Sequence, residues 1–500
     1  MKSSGLLRDT ALLTATGIFS QILGFFYRIA LSRLIGAETM GLFQLVMPVF
    51  SVLLSATSVG LTAAVSTLSA QKLALGDRAG AKALVERCVG WFLLLGGALG
   101  CLLALGSDPI SVLILGDART QLALILLVPC FLLTGIENLH KHFFYGIGSV
   151  RSPALVELCE QVIRTCAVLA LLVRFLPQNP ERTVGLILCG MILCEVFSAV
   201  TLVILFRRRL AGLPSIREPG LGSGVLAVAL PVGGSALLGN LLGSLGSILI
   251  PQRLMAGGME AGEAMRRFGV LFGMTTPLLC LPTAFIGALG LVLLPNLSEQ
   301  IALGRRGQAR DTVARSLTTI SLLLLPCLAF LTAVGPELAQ LLFHEETAGD
   351  YMLPLAVGIF LNARQSVLSC ALNGTGQQRQ AALESLLSGL VQLGFTFFAL
   401  PRWGLGGYLT GYLISTVLSL LLSHAFLRRT LPPWLPLLAD ALPALLSSLL
   451  MGLCTHLLFH RLLDLGLSLP VGLLLCLPFA LTLYLAALQA QGVSLPKKGR

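Results

Sequence analysis

The sequence predicts an all-α polytopic membrane protein. Fourteen transmembrane helices are expected, as two six-helix bundles related by a parallel repeat plus a C-terminal helix pair. Three observations predict this: a composition too apolar for a soluble chain, basic residues that sort onto alternate loops, and segments that recur at a fixed offset.

Of 500 residues, 55% are hydrophobic and 11% charged, whereas a soluble protein carries about 25% charged residues. A single soluble core stops growing near about 250–300 residues, so a soluble enzyme, a nucleic-acid-binding protein and a disordered scaffold are all poor fits. A helix needs about 20 apolar residues to cross the hydrocarbon core, and the hydrophobic fraction supplies roughly fourteen such spans. The net charge of +11 reads as cytoplasmic loops rich in Lys and Arg rather than a nucleic-acid surface. The 12 Cys stand singly in apolar stretches with no Cys-x-x-Cys, which assigns them to packing rather than to metal; Cys189 and Cys194 are too isolated for a metal site. The first apolar stretch, 6–35, exceeds a signal-peptide core of about 7–15 residues, so no cleaved signal is expected.

Fourteen apolar segments follow in order: 9–34, 41–68, 88–107, 119–143, 153–175, 183–206, 223–250, 268–295, 316–334, 351–372, 381–400, 405–427, 436–459 and 470–489. Charges, Gly and Pro fill the pieces between them, as in loops. The runs are long and Leu-rich, which favours helices over the alternating segments of about ten residues that a barrel would show. With the N-terminus inside, inner segments carry 22 of the 34 Lys and Arg and outer segments 9, while Arg28, Arg164 and Arg364 fall within spans. That bias places both termini in the cytoplasm of a multi-pass membrane protein.

The repeat sets the organisation. Leu68-Ser69-Ala70-Gln71 and Ala74-Leu75-Gly76-Asp77-Arg78 match Leu297-Ser298-Glu299-Gln300 and Ala302-Leu303-Gly304-Arg305-Arg306 at offsets of 229 and then 228. Gly146-x-Gly148-x-x-Arg151 matches Gly374-x-Gly376-x-x-Arg379, and Gly41 matches Gly269, at 228; Pro48 pairs with Pro277 at 229. Spans 1–6 thus correspond to spans 7–12, and an even number of spans per half makes the repeat parallel. The expected divisions are 1–210, a first bundle; 211–430, a second; and 431–500, two extra helices with a cytoplasmic tail. The basic, Pro/Gly-containing stretch 207–222 joins the bundles. Two similar bundles rocking about a central site are a transporter signature.

Ionisable groups inside spans are costly and usually face a cavity. Candidates are Arg28, Glu137, Glu157, Glu160, Arg164, Glu195, Arg364, Glu384 and Asp440. Arg28 either lines a cavity or snorkels outward toward Arg33 near the outer mouth; the flanking Gly24 and the cost of a lipid-facing Arg favour the cavity. Glu160 and Arg164, four apart on one helical face, form either an intrahelical pair or a ligand contact. Arg364 has no acidic residue one turn away, so it needs a partner from another helix or an anionic ligand; cavity-lining is favoured. Glu384 and Asp440 read as boundary residues, and His140, Lys141 and His142 as a basic interfacial patch. A cavity lined mostly by Arg suits an anionic, phosphate-bearing substrate, because guanidinium is always charged and binds phosphate in bidentate fashion. Pro48, Pro277, Pro282 and Pro295, with the Pro231–Gly234 stretch opening span 7, mark kinks or hinges. No nucleotide-binding loop, Asp-rich metal motif or His-Glu-x-x-His is present, so no cofactor is expected.

The segment Ser20-Gln21-Ile22-Leu23-Gly24-Phe25-Phe26-Tyr27-Arg28, then Ser32-Arg33-Leu34-Ile35-Gly36-Ala37-Glu38, Gly41-Leu42 and Pro48, resembles the opening of the stage V sporulation protein B-like flippases. These belong to the multidrug/oligosaccharidyl-lipid/polysaccharide superfamily, which includes the MATE-like exporters. Pro251-Gln252-Arg253-Leu254, the stretch Phe268–Met274 with Leu294-Pro295-Asn296-Leu297-Ser298-Glu299, and Glu160-Gln161-x-x-Arg164 resemble further segments of that branch. Arg28 matches its first-span Arg and Arg253 its Arg after span 7, whereas Gln21 stands where relatives often carry a second Arg. The resemblance implies translocation of undecaprenyl-pyrophosphate-linked oligosaccharide or peptidoglycan precursor, lipid II included, in cell wall biogenesis or sporulation.

The substrate-binding candidates are Arg28, Arg33, Arg253, Arg364, Glu137, Gln161 and Arg164. The expected partners are a lipid-linked anionic sugar and the bilayer, with no nucleic acid, for a monomer driven by Na+, H+ or the membrane potential. A cation-coupled multidrug exporter on the same fold is the first rival, and it would rest on Glu137 and Glu195. The second rival is an integral membrane glycan transferase or polymerase, which would need a general base or metal site.

Overall fold

The computed structural model describes residues 3–213, 221–431 and 437–492. Of the residues counted for orientation, Lys2, Arg217, Lys497, Lys498 and Arg500 lie outside the described residues, as does 214–220 of the linker. Every regular element among the described residues is helical. The chain forms two compact units, Met1–Gly269 and Val270–Arg500.

The first unit contains α1 (Ser3–Leu54), α2 (Gly60–Ala74), α3 (Arg78–Leu105), α4 (Gln121–Gly146), α5 (Arg151–Phe175), α6 (Pro180–Arg209), α7 (Leu221–Ala256) and α8 (Ala261–Gly269). α1 breaks at Gly36 (φ 74°, ψ 172°), in the gap predicted between the first two spans. Below Leu54 a π-helical turn, Ser55–Val59, leads into α2. Asp77 caps α3 by accepting the Gly80 N–H at 2.7 Å, and this bond holds its carboxyl below the usual range. α7 packs on α1 and α2, so contact groups it with the first six helices.

The second unit opens with short pieces, Val270–Thr275, Thr276–Cys280 and Leu281–Thr283. It continues through α9 (Ala284–Ala302), α10 (Arg306–Ala333), α11 (Gly335–Phe343), α12 (Met352–Gly374), α13 (Gln378–Phe398), α14 (Leu405–Leu427), α15 (Leu442–Asp464) and α16 (Leu469–Ala490). Pro277 and Pro282 sit at the breaks of the first stretch, as their missing N–H groups dictate. Pro295 falls within α9, Pro48 within α1 and Pro231 within α7, all without ending a helix. α15 packs on α10. Met451, Ala480, Tyr484 and Leu488 bury against Leu322, Ala329 and Phe330, and the Tyr484 hydroxyl donates to Leu322 O at 2.8 Å.

Eleven helical stretches among the described residues are long and apolar enough to cross a membrane. Three places account for the difference from the fourteen expected. Ala15–Ala74 counts as one stretch of 60 residues, although it holds two helices that meet at the Gly36 kink. α5 carries Arg151, Glu157, Glu160, Arg164 and Arg174, too many charges for an unaided span. The expected span 268–295 is helical throughout but passes through π and 3-10 turns. Leu94, Leu105, Val173, Phe398 and Leu474 are each at least 70% exposed, which water would penalise and lipid does not. The chain is a multi-pass membrane protein.

Turn geometry recurs along the chain. Gly76 and Gly304, and Gly148 and Gly376, all have φ between 71° and 81°, a left-handed conformation that glycine adopts at little steric cost. Asp77 N donates to Lys72 O at 2.9 Å and Arg305 N to Gln300 O at 2.8 Å. Ser149 N to Phe144 O and Gln377 N to Leu372 O repeat the pattern at 2.9 and 2.8 Å. Each bond lies 228 residues from its counterpart.

The same offset appears where α1 crosses α8. A Cβ on Gly41 would collide with the Met265 carbonyl, and one on Gly269 with the Ala37 carbonyl, besides standing 2.6 Å from Gly41 N. Ala37 and Met265 are themselves 228 apart, so the contact is reciprocal in the manner of a two-fold interface.

Candidate functional site

Three helices of the first unit place charged side chains inside their packed faces. α4 packs on α6, α5 on α6, and α1 on α5. Residues four apart share a helical face. α4 therefore presents Glu137 with Lys141, α5 presents Glu157 and Gln161 beside Glu160 and Arg164, and α6 presents Cys194 with Ser198 beside Glu195.

The Arg164 guanidinium is the hub. Its Nη2 donates to Glu160 and to Glu195 Oε1 at 3.3 Å, its Nη1 to Gln161 Oε1 at 3.4 Å, and its Nε to Cys194 Sγ at 3.4 Å. One turn away, Lys141 Nζ stands 3.1 Å from Glu157 Oε2 and 3.7 Å from Glu137 Oε1. The Ser198 hydroxyl donates to Glu137 Oε2 at 3.0 Å. Glu137, Glu160 and Glu195 are buried, whereas Glu157 is half-buried. Among the described residues, Glu195 Oε2 and the buried Tyr27 hydroxyl meet no close hydrogen-bond partner.

Glu160, Cys194 and Glu195 bring ligand atoms within 4.8 Å of one another, close enough for a metal by spacing alone. Arg164 already bonds all three, so the guanidinium supplies the positive charge a metal would bring. Among the described residues, Arg164 and Lys141 meet three buried carboxylates and the half-buried Glu157.

The sequence candidates divide as follows. Glu137, Gln161 and Arg164 meet in this cluster. Arg28 is half-buried on α1, next to Tyr27; Arg33 is exposed near the Gly36 break; Arg253 is half-buried in the last turn of α7. Arg364 lies in the second unit and is fully buried. Of the two partners left open for it, the structure supplies the protein one. Asp440 takes its guanidinium with both oxygens, at 2.8 and 2.9 Å, and Ser321 Oγ and Leu437 O accept at 2.8 and 2.9 Å. A guanidinium so enclosed anchors the residues leading into α15; it does not line a cavity. Asp440, read as a boundary residue, is that anchor's acceptor. Glu384, read likewise, is buried and accepts the Ser419 hydroxyl.

Lys141, Cys194 and Ser198 were not among the site candidates. Lys141 had been assigned to an interfacial patch, but it joins two carboxylates instead. Its neighbour His140 is buried, with its ring edge-on to Phe206 at 5.1 Å. The i, i+4 spacing of Glu137 and Lys141 was the signal available for this.

The family described as "Polysaccharide biosynthesis protein" matches residues 6–301, and that described as "Lipid II flippase MurJ" matches 275–473. Stage V sporulation protein B of Bacillus subtilis (strain 168) is 25% identical over 415 residues, covering 81% of this chain and 80% of its own. A lipid II flippase MurJ structure in an inward closed conformation aligns with a TM-score of 0.69 at 14% identity, covering 95% of this chain and 98% of its own. An inward-facing multidrug resistance MATE transporter of the MOP superfamily aligns with a TM-score of 0.67 at 15% identity, covering 84% and 98%.

Proposed function

Because the chain belongs to the polysaccharide biosynthesis protein family, we propose that it flips an undecaprenyl-pyrophosphate-linked sugar across the bacterial cytoplasmic membrane by alternating access. The observation that carries this reading is the charged cluster on α4, α5 and α6. Ionisable side chains inside membrane-spanning helices mark a transport path by default. In this reading the fold makes fourteen crossings in two parallel bundles, 1–210 and 211–430, with 431–500 appended and both termini cytoplasmic. The recurring turns and the reciprocal contact at Gly41 and Gly269 support the repeat. Arg28, Arg253 and Arg33 bind the pyrophosphate, with Gln161 and Arg164 holding α5 beside them. Arg364 is left out of the set, because Asp440 holds it. The protein acts as a monomer and performs no covalent chemistry.

Proteoliposomes carrying a fluorescent lipid-linked sugar test the reading. Arg28→Ala with Arg253→Ala removes two charge-assisted bonds worth about 1.5–3 kcal/mol each, so transport is expected to fall at least about tenfold. Unchanged transport would sink this assignment of the site.

A cation-coupled drug exporter is the second reading, favoured by the carboxylate excess in the cluster. It predicts that a strain lacking the protein becomes drug-sensitive while its lipid-linked sugars are still flipped. In either reading the excess carboxylate couples transport to a cation. Glu195→Gln keeps shape and removes one charge. It is expected to abolish the dependence of transport on an imposed H+ or Na+ gradient while leaving downhill exchange intact. Gradient dependence equal to that of the wild type would refute this coupling role.

A further inference from the structure

We propose that a cavity of about 380 Å³ within the second unit is the subsite for an uncharged sugar ring of the transported lipid. The proposal rests on the flippase reading and adds the part of the substrate that the Arg residues do not bind. The volume falls within the range of small-ligand sites, about 300–1,000 Å³.

The lining decides the chemistry. Neither a carboxylate nor an amine nor a guanidinium is among the lining residues. A pyrophosphate would find no cation there, and a cationic drug no counter-charge. Aromatic rings form one wall. Tyr408 and Tyr412, one turn apart on α14, lie parallel to within 2° with centroids 6.5 Å apart, and Phe272 stands edge-on to Tyr408 at 5.6 Å. Gly358 on α12 makes this wall fit, since a Cβ there would run into the Tyr412 ring.

Polar groups complete the cavity. The Asn362 carboxamide and the two tyrosine hydroxyls line it without a hydrogen bond to any described residue. Inside membrane-spanning helices such groups need a partner, and an acyl tail offers none. A pyranose offers an apolar face for the rings and hydroxyls for the amide. Asn362 and Ser366 share one face of α12, while Arg364, two residues from each, is turned toward Asp440.

Two synthetic probes test this on the purified full-length protein in nanodiscs. One is citronellyl pyrophosphate; the other is the same compound carrying N-acetylglucosamine. The sugar is expected to tighten binding at least about tenfold. Tyr412→Ala and Asn362→Ala should each remove most of that gain and leave the sugar-free probe unchanged, and Tyr412→Phe should keep most of it. Equal affinity of the wild type for both probes overturns the subsite alone. Equal weakening of both probes by the Ala variants also overturns it, because that is the signature of a structural role. Failure of the wild type to bind either probe overturns the flippase reading, and the subsite with it.

Discussion

Asp440→Ala is expected to destabilise the protein by about 3–5 kcal/mol, the cost of leaving a buried charge without its partner. Arg364 is fully buried, and Asp440 is the carboxylate that meets it. The guanidinium cannot shed its charge, since its pKa lies far above physiological pH. Without Asp440 it keeps neutral acceptors such as Ser321 Oγ and the Leu437 and Leu317 carbonyls. Thermal unfolding of the solubilised protein measures the loss. Combining Asp440→Ala with Arg364→Leu removes both charges and is expected to recover much of the stability, because replacing a buried pair by apolar residues is often neutral or better. A double variant as unstable as the single one would show that geometry, not charge, holds α15 in place. The same pair of variants separates anchor from ligand contact, because the double variant retains transport only if Arg364 does not touch substrate.

Gly269→Ala is expected to cost at least the 1–3 kcal/mol or so of an overpacked core, and Gly41→Ala a similar amount. Most clashes of an added methyl are relieved by moving a side chain. Here the obstacles are main-chain atoms: the Met265 carbonyl for Gly41, and the Ala37 carbonyl and Gly41 N for Gly269. Both helices would have to separate. A large fall in the yield of monodisperse protein, with a melting temperature lowered for both variants, is the expected readout. Unchanged melting for either would mean that α1 and α8 are not held this close in the membrane.

The helices were legible in the sequence because apolar runs of membrane length leave little choice of structure. Where the runs misled, the cause was local. Gly36 separates the two helices by a sharp kink rather than by a loop. Pro277 and Pro282 lie where a continuous helical stretch changes its hydrogen-bond geometry, which hydrophobicity alone does not show. Within the charged cluster, the Glu160–Arg164 pairing was legible from its spacing on one helix. The approach of Glu195, Cys194 and Ser198 was not, because they arrive from α6. Arg364 and Asp440 stand 76 residues apart, and no periodicity links residues on different helices. Tyr408 and Tyr412 were not legible for another reason: full charges mark the costly residues of a membrane span, and these two side chains are uncharged.

The charges of α5 bear on how the protein enters the bilayer. An Arg at the centre of an isolated helix costs about 2.5–3.5 kcal/mol on insertion scales, and α5 brings two carboxylates to the same region. Lys141 precedes α5 in the chain and is in place when α5 emerges during synthesis. Glu195 follows it on α6 and is not. Stable integration of α5 is therefore expected to depend on α6, which supplies Glu195 after α5 has been made.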